Sequence, residues 1–113
     1  MHELGIAQSI VEAVRQEVLR HGGGRVSRVG LKVGELSGVN ADALRFSFEV
    51  TVQDTELTGA ELAIEEVPLR FRCTRCETDF SSVNFESVCP ACGSADTRPS
   101  GGDELQIVYL ELE

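Results

Sequence analysis

Tryptophan is absent from this chain, and only one Tyr and five Phe occur among its 113 residues. A core with so few rings must rest on Val, Leu and Ile, and a chain this short has limited apolar area to bury. A bound metal would help such a protein hold one of its parts together. Basic residues are also scarce: ten Lys and Arg stand against nineteen Asp and Glu, a formal net charge of -9. That balance opposes the field of DNA or RNA, whose binders carry a basic face. It disfavours an anionic membrane surface for the same reason. No apolar run reaches the ~20 residues that a spanning helix needs. The opening Met1-His2-Glu3-Leu4 lacks the basic start and apolar stretch of a secretory signal, so a cytoplasmic protein is expected. No Ser/His/Asp set or paired catalytic acids stand out, and Gly22-Gly23-Gly24 lacks the Lys-Ser/Thr of a phosphate-gripping loop. An enzyme is not expected.

What is present suits a folded, soluble chain of one domain, or of a core with a small appendage: 42% hydrophobic and 26% charged residues argue against disorder. Leu4, Ala7, Val11, Val14 and Val18 recur at three- and four-residue steps, widened by Ile10 and Leu19, and predict an amphipathic helix stopped by the triple glycine. Val29, Leu31 and Val33 alternate with Arg28, Lys32 and Gly34, as in a half-buried strand. Asn40 is a candidate N-cap for a second helix from Ala41 to about Val52, although Phe46, Phe48, Val50 and Val52 also alternate. Leu62, Ile64, Val67, Leu69 and Phe71 read as one strand, slipped in phase near Glu66 and Pro68 by a bulge or bend. Thr97 to Gly102 reads as a linker or tight turn. Leu105 to Leu112, apolar on both faces at its centre, reads as a strand interior to the sheet. The expected fold is α+β: a small mixed sheet of about three strands packed with two helices, plus an inserted cysteine module.

That module holds Cys73-Thr74-Arg75-Cys76 and Cys89-Pro90-Ala91-Cys92-Gly93, two C-x2-C units a dozen residues apart. Two intervening residues let both thiolates reach one ion, and two such knuckles complete the tetrahedral shell of structural zinc. No open position remains for a catalytic water. A redox dithiol needs only one pair, iron could occupy the same thiolates, and two disulfides would require export. A zinc ribbon can also serve nucleic acid. Here, however, Arg75 and Arg98 stand among Glu77, Asp79, Glu86 and Asp96, and Phe80 and Phe85 are read as the module's small core.

Histidine occurs only as His2 and His21. His21 is read as a solvated residue in the last turn of the first helix, where a partly charged imidazole suits the dipole. At the amino terminus, the α-amine, the backbone nitrogens of His2 and Glu3, and the His2 imidazole can gather in one plane. Nitrogen-rich square-planar geometry suits Ni(II) or Cu(II). A second-position histidine is otherwise an ordinary surface residue, and the residues alone leave that reading standing.

The opening Met1-His2-Glu3-Leu4-Gly5-Ile6-Ala7 resembles the start of the HypA/HybF family of hydrogenase maturation nickel chaperones. The likeness continues through Val33-Gly34-Glu35-Leu36-Ser37-Gly38-Val39, both cysteine pairs, and Gly102-Asp103-Glu104-Leu105-Gln106-Ile107. It implies a nickel-binding α/β domain over 1–70 and 100–113, with a zinc-ribbon domain, 71–99, inserted before the last strand. It implies a nickel site at Met1, His2 and Glu3, and structural Zn(II) on Cys73, Cys76, Cys89 and Cys92. Transported Ni(II) would be handled with a GTPase of the same maturation pathway and delivered to the hydrogenase large subunit. The resemblance also implies assistance to urease in some organisms, with urease accessory proteins as partners. Nucleic acid and membrane are not expected partners. The competing reading is a zinc-ribbon module for protein or nucleic-acid interaction, without nickel.

Overall fold

The computed structural model describes residues 3–82 and 85–113. Helix α1 spans Glu3–Arg20 and buries Ala7, Ile10, Val11 and Val14. It ends where Gly22 and Gly23 take φ of 87° and 93°, and the Gly23 N–H closes the last turn on the Val18 carbonyl at 2.9 Å. The expected stripe is too wide at its margins. Leu19 is 77% exposed, because it sits about 100° around the helix from Val18; Leu4, in the first turn, is also exposed.

Strand β1 (Val26–Gly34) leads through a single 3-10 turn, Glu35–Ser37, to helix α2 (Ala41–Val52). Asn40 caps α2 as expected, its Oδ1 accepting the Ala43 N–H at 2.9 Å. The helical period decides between the two sequence patterns: Leu44, Phe48 and Val52 are buried, whereas Phe46 is 67% exposed.

Strand β2 (Glu61–Val67) pairs in parallel with β1, and the last strand returns antiparallel on β1's other side. The result is the expected mixed three-stranded sheet, packed with α1 and α2 around one apolar cluster.

Three sequence readings are corrected. The single bent strand from Leu62 to Phe71 is two strands, β2 and β3 (Arg70–Cys73), which belong to different sheets. Pro68 has no N–H for a ladder. Leu69 donates its N–H to Glu35 Oε1 at 3.1 Å, and its carbonyl accepts from Ser82 at 2.9 Å, so the chain turns into the second sheet.

The linker reading of Thr97 to Gly102 also fails. Thr97–Gly101 is strand β5, which pairs antiparallel with β3 opposite β4 (Asp79–Ser81). Pro99 is tolerated because β5 lies at an edge.

Finally, β6 (Leu105–Leu112) is an edge strand, and β1 is the interior one. The register slips between Gly30↔Tyr109 and Leu31↔Ile107, leaving Val108 as the extra residue of a bulge. Tyr109 lies over Gly30, where an added Cβ would sit 2.0 Å from the ring. The second apolar face of β6 thus covers a glycine of its neighbour instead of meeting another strand.

Candidate metal centre

The second sheet, β4-β3-β5, presents the cysteines. Cys73 ends β3, and its partners lie on the loops around the sheet. The small core beneath them joins Cys73, Cys89 and Phe80, with Phe71 packed against it and stacked on Phe80 at 6.1 Å between ring centres. Phe85, expected in this core, is exposed; Phe71 occupies that role because β3 and β4 pair Phe71 directly opposite Phe80.

The two knuckles share one backbone pattern. In the first, the Cys73 N–H donates to the Thr78 carbonyl at 2.9 Å, and the Glu77 N–H donates to the Cys73 carbonyl at 3.0 Å. In the second, Cys89 donates to Ser94 and Gly93 to Cys89, both at 2.9 Å. The residue after each pair adopts left-handed backbone: Gly93 at φ 75°, and Glu77 at φ 63°. The leading cysteine of each pair is buried and the trailing one exposed.

All four Sγ atoms lie within 4.8 Å of one another. Cys73 to Cys92 and Cys76 to Cys89 are each 3.6 Å apart. A tetrahedron with Zn–S near 2.3 Å has edges of ~3.8 Å, so the donor set fits the ion that its chemistry suggests. Among the described residues this is the single grouping of Cys, His and acidic side chains suited to hold a metal.

The thiols also need a cation. The Thr78 hydroxyl and N–H draw Cys76 down to about 6, and the Cys76 N–H lowers Cys73. At Cys92 the Ser94 amide favours the thiolate, but Cys73, burial, Cys76 and Cys89 outweigh it and push the thiol up to about 12. Cys92 thus holds its proton against its neighbours, and a bound divalent ion would remove that conflict.

The expected amino-terminal site is placed only in part. Met1 and His2 lie outside the described residues. Glu3 opens α1, half-buried, and its Oε2 accepts the Asn40 N–H at the head of α2 at 3.3 Å. Nothing in the sequence announces this tie, since its partners are 37 residues apart. His21, just beyond α1, is exposed, and its Nε2 lies 3.5 Å from Glu17 Oε2, which agrees with the solvated reading. In the module, Arg72 of β3 adds a cation to Arg75 and Arg98, and Arg75 is paired with Asp96 at 3.0 Å. No helix among the described residues is long and apolar enough to cross a membrane.

The family described as "Hydrogenase/urease nickel incorporation, metallochaperone, hypA" matches residues 1–112. The chain is 45% identical over 113 residues to the hydrogenase maturation factor HypA of Geobacter metallireducens, covering all of both chains. It is 44% identical over 114 residues to that of Roseiflexus sp. (strain RS-1), covering all of this chain and 93% of the relative. The solution structure of the Ni metallochaperone HypA from Helicobacter pylori has the same fold, with a TM-score of 0.70 at 22% identity over 99% of this chain and 97% of that one. Whole-length agreement in sequence and fold places the chain in the HypA family of nickel-incorporation metallochaperones for hydrogenase maturation, a family of maturation factors and not of enzymes.

Proposed function

We propose that this chain binds Ni(II) at its amino terminus and delivers it to the large subunit of nickel–iron hydrogenase, in company with a nickel-handling GTPase in the cytoplasm. The ligands are the Met1 amine, the imidazole and backbone nitrogen of His2, and the backbone nitrogen of Glu3. The observation that carries this reading is family membership over residues 1–112, which includes the Met-His-Glu opening. The chemistry supports it. The first N–H groups of a helix have no intrahelical acceptor, so coordination at Glu3 breaks no helix hydrogen bond. A terminal site has few enclosing neighbours, which favours passing the ion to a deeper one. Urease maturation is a second delivery of the same kind.

The cysteines, in this reading, hold Zn(II), which shapes the module and does no chemistry. The chain then divides into a nickel-binding part, 1–70 with 100–113, and a zinc part, 71–99. The second sheet, which begins at Arg70 and ends at Gly101, supports that division.

Calorimetric titration of Ni(II) into the zinc-loaded chain, beside His2→Gln, tests the proposal. Glutamine keeps a bulky second residue, so Met1 stays in place in both proteins. One-to-one binding in the parent and its loss in the variant are expected. Equal binding in both would take the nickel site away from His2, and binding in neither would leave a zinc-stapled interaction module as the working function.

A further inference from the structure

Two stretches of the family resemblance belong to neither metal site: the one around Gly34-Glu35 and the one around Gly102-Asp103-Glu104. They meet in the fold. The Gly34 N–H donates to the Glu104 carbonyl at 2.6 Å, and the Leu36 N–H donates to the Gly102 carbonyl at 2.7 Å. Glu104 Oε1 accepts the Gly102 N–H at 2.7 Å, which curls the second stretch back on itself. Glu35 Oε1 accepts the N–H of buried Leu69 at 3.1 Å. Both connections between the sheets among the described residues run here: Pro68-Leu69, held by Glu35, on the way out, and Gly102 to Glu104 on the way back.

The glycines show how close the approach is. A Cβ on Gly34 would stand 2.1 Å from the Gly102 carbonyl oxygen, and a Cβ on Gly102 would stand 2.6 Å from the Leu69 Cα. Backbone lies on both sides, so neither neighbour can step aside. Gly102 also has φ of 101°, which side chains resist. Two unbonded connections would let the parts swing, the default for small domains with little interface. Here both connections are pinned to one turn.

We infer that these two motifs form a rigid joint that sets the cysteine module at one fixed orientation on the three-stranded sheet. The inference rests on the two-part division proposed above, and not on the nickel assignment. Glu35 is its positioning residue, because without that carboxylate a buried N–H is left unmet.

Residual dipolar couplings on the zinc-loaded full chain test it, in the parent, Gly102→Ala, Glu35→Ala and Glu35→Gln. In the parent, one alignment tensor should fit both sheets together. Gly102→Ala and Glu35→Ala should each need two tensors, with zinc content and the amide shifts within each sheet retained. Glu35→Gln, which keeps an oxygen acceptor, should need one. Two tensors in the parent would overturn the joint while leaving the division intact. One tensor in both alanine variants would show that these contacts do not set the orientation. Should Gly102→Ala fail to fold, Glu35→Ala decides by the same criteria.

Discussion

Gly30 and Gly34 sit four residues apart on β1, and both are covered so closely that no Cβ fits, yet they differ in what covers them. Over Gly30 lies the ring of Tyr109, on an edge strand and partly exposed, which can swing outward. Over Gly34 lies the backbone of Gly102 and Asp103. Gly30→Ala should therefore cost about 1 kcal/mol, and Gly34→Ala about 3 kcal/mol, within and at the upper end of the usual overpacking range. Urea unfolding at equal zinc content checks the order; equal costs would mean the backbone at Gly102 yields as easily as the ring. Glu77 supplies the opposite case, a side chain where left-handed backbone favours none. Glu77→Gly should stabilise the zinc-loaded module by up to about 1 kcal/mol, and Gly93→Ala should destabilise it by about that amount. Chelator concentration at half release of the metal reads both changes.

Among the elements, α2 is the one whose sequence pattern was ambiguous, and a single side chain settles much of it. The Asn40 cap satisfies the Ala43 N–H, while the Asn40 backbone N–H reaches Glu3 on α1. Asn40→Ala should remove the cap alone, at a cost of about 1 kcal/mol. Asn40→Asp should restore most of that loss, as seen in thermal unfolding. An unchanged midpoint in Asn40→Ala would mean that packing of Leu44, Phe48 and Val52 holds the helix unaided.

At the scale of the molecule, the described residues form two cores of very different size. One joins both helices to the three-stranded sheet; the other is two buried cysteines and a buried phenylalanine, with Phe71 beside them. So small a cluster cannot offset the entropy of ordering its own segment, which amounts to ~1–2 kcal/mol per residue for the backbone alone. Removing the metal with a chelator should therefore melt β3, β4 and β5 and leave α1, α2 and the larger sheet folded. Amide hydrogen exchange separates the two. Loss of protection throughout would mean that the larger core also depends on the metal. Cys89→Ser, at a buried cysteine of the cluster, should give the same pattern as the chelator.

The local readings were legible because their causes are local. The period of Ala7, Ile10, Val11 and Val14, the cap at Asn40, the alternation of Val29, Leu31 and Val33, and the spacing of the cysteine pairs each depend on neighbours in the chain. So does the likeness between the first residues and the family. Readings that needed a distant partner went wrong. Leu62 to Phe71 looked like one strand because nothing nearby reveals that Glu35 takes the Leu69 N–H. Leu105 to Leu112 looked interior because its second apolar face answers to Gly30, far back in the chain. Pro99 marked a linker until β3 gave it an edge to lie on. Sequence by itself determined the helices, the two cysteine pairs and the family. Tertiary structure alone decided which strand is central and where one sheet ends and the next begins, because hydrogen-bond partners across a sheet are chosen by the whole fold.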